Sequence, residues 1–467
     1  MIIRSDIRKA RLCCVVGFTA YWMWLFCLLI AQVFGPRDGG VFGNVWLWCT
    51  VAHIGALCVL GALARRIPSF VENVMVVAGS PTLMTGGMGL LFVSQVLDST
   101  PLMLLSVLLV GAGTAGIVLC WGEVFTALSW ENDQRTSLLV CLVLSIVLYV
   151  PLAWLPNGIL FAVLFVMPLV SVVALAASAS RLSPRLRLKE QAAKQEGSRD
   201  KLTARFVLFC LVYSMPLGFF QVKYATSDGG LGAWLPVLVP SLAVLALVGV
   251  VDVAFKRRWL SNIVPAVMVP VAIAGLLLLA LFDDGQTQVA GVLIFSAQQL
   301  LTTLLYARFA TAACKGKAIP GAVFALGVGA TDAGFVLGMV SGELARLGTW
   351  QLEFTLGVAY VVVLGGFLAT GSFLRKGEGD ERTPETVASV ATIAQRVGGF
   401  SSEHGLTARE EEVLGHLLRG KSTAAIAADI FLSKNTVRTH VSHIYQKAGV
   451  HGRDELVELV ERYSQAN

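Results

Sequence analysis

Charge is scarce in this chain: Asp, Glu, Lys and Arg make up 14% of its 467 residues, while hydrophobic residues make up 56% and mean hydropathy is +0.73. A soluble protein of this length needs a more polar surface, so the scarcity excludes that class and leaves an integral membrane protein. The nine cysteines never form a C-x-x-C pair, and all fall in apolar stretches or inner loops. That placement argues against disulfides and structural zinc. No grouping of Ser, His and Asp suggests hydrolysis. The glycine-rich GAGTAG at 111–116 follows no strand and precedes no Lys-Ser/Thr, so it binds no nucleotide. His440 and His443 stand three apart but lack a third ligand. No catalytic residue, metal or cofactor is therefore expected.

What the chain has in abundance is long apolar runs. Windows of about 20 residues, enough to cross a hydrocarbon core of about 30 Å, recur twelve times: near 12–34, 41–63, 71–97, 101–121, 137–156, 158–179, 206–222, 231–254, 263–282, 288–312, 319–343 and 352–373. The third carries Gly79-Ser80-Pro81, which suggests a kinked or tilted helix. The first has no small-residue cleavage site after a short apolar core and reads as a retained helix. The expected fold class is all-α: a polytopic bundle of twelve spans in a 6+6 arrangement, then a small four-helix domain.

Lys and Arg alternate between the connecting loops. With the N-terminus inside, the inner segments hold 24 of them, from Arg4, Arg8, Lys9 and Arg11 to Arg375, Lys376 and Arg382, and the outer segments hold only Arg37, Lys223 and Arg346. The bias places both termini in the cytoplasm of a cell with an inner or plasma membrane. The longest inner loop, 181–205, is basic, contains Ser183-Pro184 and Gly197-Ser198, and divides 1–374 into halves of about 1–180 and 206–374. Span count and midpoint loop resemble the major facilitator superfamily, which implies two six-helix halves around a central cavity. That superfamily has a Gly-x-x-x-Asp-Arg-x-Gly-Arg type motif after its second span. Here GALARRIPSF keeps Gly61, Arg65 and Arg66 but has no Asp.

Polar groups inside the spans mark candidate ligand contacts, because a carboxylate at mid-bilayer costs about 2.5–3.5 kcal/mol on insertion scales. Asp332, in GVGATDAGFVLG of the eleventh span, is either a cavity carboxylate for a cation, proton or amine, or a buried Asp bonded to a neighbouring helix. His53, Gln221, Gln298 and Gln299 are further candidates. Glu72, Glu123 and Asp252 lie near inner ends and read as solvated or paired charges. Gly334, Gly338 and Gly342, at four-residue spacing, read as sites of close helix approach, as do the glycines of GAGTAG.

The last 62 residues, 406–467, have a different grammar. Thr407 with Glu410 forms a capping box before Val413, Leu414, Leu417 and Leu418, predicting a helix from 408 to 418 that stops at Gly420. Ser422 to Asp429 makes a second helix, and Ser433 caps a third that runs to Ala448 before Gly449. This is a helix-turn-helix pattern. Val437, Val441, Ile444 and Ala448 share the inward face of the third helix; Asn435, Arg438, Thr439, Ser442 and Gln446 share the outward one. No acidic residue occurs from Lys434 to Arg453, yet 406–467 balances eight Lys and Arg against eight Asp and Glu. Selectivity should therefore rest on the helix face more than on net charge.

The segment resembles the LuxR-type (FixJ/NarL-like) DNA-binding domain at Leu406-Thr407, Arg409-Glu410, Glu412-Val413-Leu414, Gly420, Ser422, Ile426-Ala427, Leu432-Ser433, Thr436-Val437, His440, Ile444-Tyr445, Lys447, Gly449-Val450, Arg453 and Glu455-Leu456. The resemblance implies double-stranded DNA as partner. It puts Arg438, Thr439 and Ser442 at base-reading positions beside Lys434 and Asn435, with Thr436, His440 and Lys447 approaching phosphates, and it makes the last helix, from Asp454, a homodimer contact. No phosphoacceptor domain precedes the segment; the spans stand in its place, joined by a linker at 375–405. The expectation is a membrane-bound one-component transcription regulator sensing an unknown small ligand, with a secondary transporter carrying a regulatory C-terminal domain as the alternative.

Overall fold

A computed structural model describes residues 4–30, 45–129 except 68, 134–195 except 153, 204–225, 234–254, 264–281, 287–315, 319–346 and 357. Towards the C-terminus it describes 399–418, 423, 426–427, 433–450, 452, 455–456 and 459–460. The chain forms two compact units, Met1–Arg375 and Lys376–Asn467.

Every described element is helical. The membrane unit holds α1 (Arg4–Ile30), α2 (Val45–Leu63), α3 (Val74–Val96), α4 (Thr100–Leu128), α5 (Gln134–Leu152), α6 (Asn157–Gln195), α7 (Ala204–Ala225), α8 (Leu235–Ala254), α9 (Val264–Leu281), α10 (Thr287–Lys315) and α11 (Pro320–Arg346). Among the described residues, seven helices are long and apolar enough to cross a membrane, and four shorter apolar helices, 137–152, 206–222, 235–251 and 267–279, accompany them. Large apolar side chains such as Val74, Met75, Leu108, Val173, Leu247 and Val250 point outward, as expected where lipid is the solvent. The expected twelfth span, 352–373, lies outside the described residues save Gly357.

Two expectations change. The sixth helix does not end at 180 but continues through Gln195, so much of the supposed central loop is helix. The Leu, Arg, Lys, Glu, Ala and Gln of 185–195 are strong helix formers, and their summed propensity outweighs the loop signal of Ser183-Pro184. The first helix begins at Arg4, ahead of the apolar window that marked it, because helix formation extends beyond the stretch that lipid requires.

Small residues set the packing. A Cβ at Gly334 or Gly338 would run into the Leu211 or Met215 carbonyl of α7, so the stripe on α11 brings these two backbones together. In α4, a Cβ at Gly111 would come within 2.7 Å of Ala52 Cβ and His53 N of α2. That close approach carries His53 towards the α4 side chain one turn beyond Gly111. The two halves meet through α2 with α11, α4 with α10 and α11, and α5 with α8 and α10. Glu123 of α4 is buried and accepts from Ser69 Oγ (2.6 Å), Phe70 N (3.0 Å) and Val71 N (3.1 Å). Of the two charge readings, it is therefore paired and not solvated.

The C-terminal unit has α12 (Ala408–Leu418) and α13 (Lys434–Ala448) around a core of Val413, Leu414, Leu417, Ile426, Val437, Ile444, Leu456 and Val460. Phe400, fully buried, belongs to that core and lies in a helical turn at 399–403. The packed module thus begins ahead of Leu406, and the end of the assumed linker is structural.

Candidate functional site

Helix α13, the candidate DNA-reading helix, is built from its caps inward. Ser433 accepts from Thr436 N (3.1 Å) at the start of α13, and Gly449 ends it with φ of 68°, a left-handed conformation that suits a residue without a Cβ. Val437, Val441 and Ile444 are buried, and Ala448 packs partly against the same core. This anchoring turns Asn435, Arg438, Thr439, Ser442 and Gln446 to solvent. His440 is half-buried, and Thr436 Oγ1 lies 2.8 Å from Ser433 Oγ. The side chain of Lys434, the residues 428–432 and most of the last helix lie outside the described residues.

Lys447 makes contacts within the module. Its Nζ donates to Glu410 Oε2 at 2.7 Å and to the Gly405 carbonyl at 2.9 Å, so two of its three donors are committed inside the module. Glu410 Oε2 also accepts from Thr407 N (2.8 Å) and Thr407 Oγ1 (2.9 Å), completing the capping box with Glu410 N to Thr407 Oγ1 (3.3 Å). His443 Nδ1 stands 3.7 Å from Glu410 Oε1. The Lys447 hydrogen bond, followed by that of the Thr407 amide, pulls the Glu410 carboxyl from 4.5 down to about 2. The role of Lys447 as a phosphate contact is thereby narrowed to its one remaining donor.

In the membrane unit, Asp332, His53, Gln298 and Gln299 come together on the wall of one cavity of about 140 Å³. Six helices supply the wall: α1 gives Tyr21, Trp22 and Trp24, α2 gives Trp46 and His53, α4 gives Thr114 and Val118, α7 gives Ser214 and Leu217, α10 gives the two Gln and Tyr306, and α11 gives Asp332 and Phe335. Asp332 Oδ2 lies 3.4 Å from His53 Nε2, and His53 Nδ1 lies 2.7 Å from Thr114 Oγ1. The Thr114 hydroxyl itself donates to the Val110 (3.0 Å) and Gly111 (2.9 Å) carbonyls. Gln221 does not join this group. It is buried on α7 one turn beyond Leu217, the last residue of that helix on the cavity wall.

Sequence reading missed the aromatic wall and Thr114. The signal was present as the Tyr21-Trp22-Met23-Trp24 run, but periodicity alone does not say which aromatic faces a cavity and which a neighbouring helix. Phe400 was missed as a core residue because it precedes the capping box by seven positions.

With this geometry in hand, the comparisons with known proteins are direct. Residues 404–460 match the family described as bacterial regulatory proteins, luxR family. The spore germination protein GerE of Bacillus subtilis (strain 168) is 47% identical over 62 residues, which are 13% of this chain and 84% of that protein. A probable transcriptional regulatory protein NarL of Mycobacterium tuberculosis (strain ATCC 25618 / H37Rv) is 48% identical over 48 residues, covering 10% of this chain and only 22% of that relative. The chain belongs to the LuxR family of bacterial regulatory proteins through its C-terminal module. In the membrane unit, the fold is like that of a bacterial homologue of the iron transporter ferroportin in its outward-facing state with soaked iron, at a TM-score of 0.52 and 13% identity, covering 79% of this chain and 99% of that one. A second structure of such a homologue in the outward-facing state gives a TM-score of 0.50 at 14% identity, with the same coverage. The chain thus joins a LuxR-type helix-turn-helix domain to a helical unit whose fold is like that of these two structures.

Proposed function

We propose that this protein is a membrane-bound one-component transcription regulator, in which the membrane unit senses a small ligand and the C-terminal module binds promoter DNA. The observation that carries the reading is the shared cavity. Four polar residues picked out singly from α2, α10 and α11 line one cavity, on the same chain as a LuxR-type module whose outward helix face is polar and open. A ligand preferring one arrangement of the bundle would shift its conformers, and the module would report the shift through dimerisation or exposure.

In this reading Arg438, Thr439 and Ser442 contact base edges, with Lys434 and Asn435 beside them, and Thr436, His440 and Lys447 approach phosphates, aided by the α13 N-terminus. The last helix makes the homodimer contact. Both termini lie in the cytoplasm, supported by the excess of Lys and Arg in inner segments, so the module meets the chromosome from the inner or plasma membrane. Genome-wide DNA occupancy of the full-length protein tests the reading: specific peaks that vanish in Arg438→Ala support it, and an unchanged map overturns it.

A second reading, a secondary transporter with a regulatory C-terminal domain, is favoured by the transporter-like fold of the membrane unit. Ligand flux in vesicles that is abolished by Asp332→Asn but indifferent to removal of 406–467 would establish it.

A further inference from the structure

The cavity described above has a lining whose chemistry narrows its ligand, given the reading of the membrane unit as a ligand-binding half. Among the described residues no Lys or Arg lines it, and Asp332 is the one carboxylate on its wall. The Asp332 side chain is 26% exposed. His53 stands beside it, Nε2 at 3.4 Å from Asp332 Oδ2 and Nδ1 at 2.7 Å from Thr114 Oγ1. A carboxylate facing the space calls for a positive partner. Gln298 and Gln299, both buried, add amide groups to the same wall.

The rest of the wall is aromatic. Trp22 and Tyr306 lie with ring centroids 6.5 Å apart and join Tyr21, Trp24 and Trp46 around the space. Aromatic faces attract cations. The volume of about 140 Å³ is close to that of an engineered cavity of about 150 Å³ that takes up benzene. We propose that the cavity binds a small organic cation, a primary ammonium with a body about the size of one aromatic ring, its N–H donors directed to the Asp332 carboxylate and its body lying against the aromatic wall. An anion would be repelled by the Asp332 carboxylate, and a neutral isostere would leave that charge without a cation.

The test is calorimetric titration of the full-length protein in nanodiscs with phenethylammonium, its neutral isostere 2-phenylethanol and the anion phenylacetate. Saturable binding of phenethylammonium alone is expected, weakened at least tenfold in Asp332→Asn, kept in Arg438→Ala, and partly retained in Asp332→Glu. The Asp332→Glu variant separates loss of charge from loss of fold. Equal binding of the three compounds, undiminished binding in Asp332→Asn, or no binding of the ammonium overturns the ligand class. A reporter transcription assay with the same amine addresses the other half: binding without any change in transcription leaves the ligand class standing and removes the sensing role.

Discussion

Lys447 Nζ and Glu410 Oε2 lie 2.7 Å apart and tie α13 to the first helix of the module. The carboxylate is buried and already serves the capping box of α12, so a single side chain sets the start of one helix and holds the end of the other. Replacing Lys447 with Met leaves a buried anion without its cation. A loss of about 1–3 kcal/mol is expected, read as a lower midpoint in the thermal unfolding of residues 376–467.

The same pair makes the module sensitive to acid. Glu410 is held well below its usual value, so the stability it contributes is fully present above about 4.5 and is lost as pH falls towards about 2. Amide-exchange protection along α13 should decline across that window. In Glu410→Gln the module should be weaker at neutral pH, and the decline should flatten; an equally steep decline in the variant would place the acid sensitivity elsewhere.

Arg438 is exposed and forms no ion pair among the described residues, so Arg438→Ala should leave the unfolding midpoint of the module in place. A lost bidentate base contact costs about 1–3 kcal/mol of discrimination. Competition binding between a cognate site and random duplex should therefore show the specificity ratio collapsing, while non-specific affinity changes little.

Phe400 is a ring at the centre of a small core, outside the segment that the capping box announces. Phe400→Ala should cost about 3–5 kcal/mol. A fragment beginning at Leu406 should be destabilised to a similar degree relative to one beginning at Lys376, as chemical denaturation of the two would reveal.

In the membrane unit, Gly334 faces the Leu211 carbonyl, whereas a Cβ at Gly329 would meet only Leu57 Cδ1 at 3.9 Å. Gly334→Val should force α7 and α11 apart at a cost of about 1–3 kcal/mol or more. Gly329→Ala should be neutral or stabilising, since Ala lowers the helix entropy cost by about 0.5–1 kcal/mol. Thermal aggregation in detergent ranks the two.

Much of this architecture is legible along the chain because the relevant physics is local. Thr407 and Glu410 are three residues apart, Ser433 and Thr436 likewise, and Val437, Val441 and Ile444 lie on one helix stripe, so capping and burial follow from spacing. The run of apolar windows is equally local. The end of α6 was less legible, because a Ser-Pro pair and a charge-rich stretch look alike whether they end a helix or extend one beyond the membrane.

The cavity needed tertiary structure. Asp332 and His53 are 279 positions apart, and only the approach of α2 to α11, with Gly111 admitting α2 against α4, brings carboxylate, imidazole and Thr114 into one chain of contacts. Gln221 looked as eligible as Gln299 on polarity alone; the register of α7 excluded it. The sequence by itself determined that the chain is a bilayer-spanning helical protein ending in a helix-turn-helix module, because hydrophobic length, charge bias and capping are summed over neighbouring residues, and the module's residues carry the resemblance to the LuxR type. Which polar side chains share a cavity, and that Lys447 donates to Glu410, was decided only by tertiary packing, because those contacts depend on how helices distant in sequence are brought side by side.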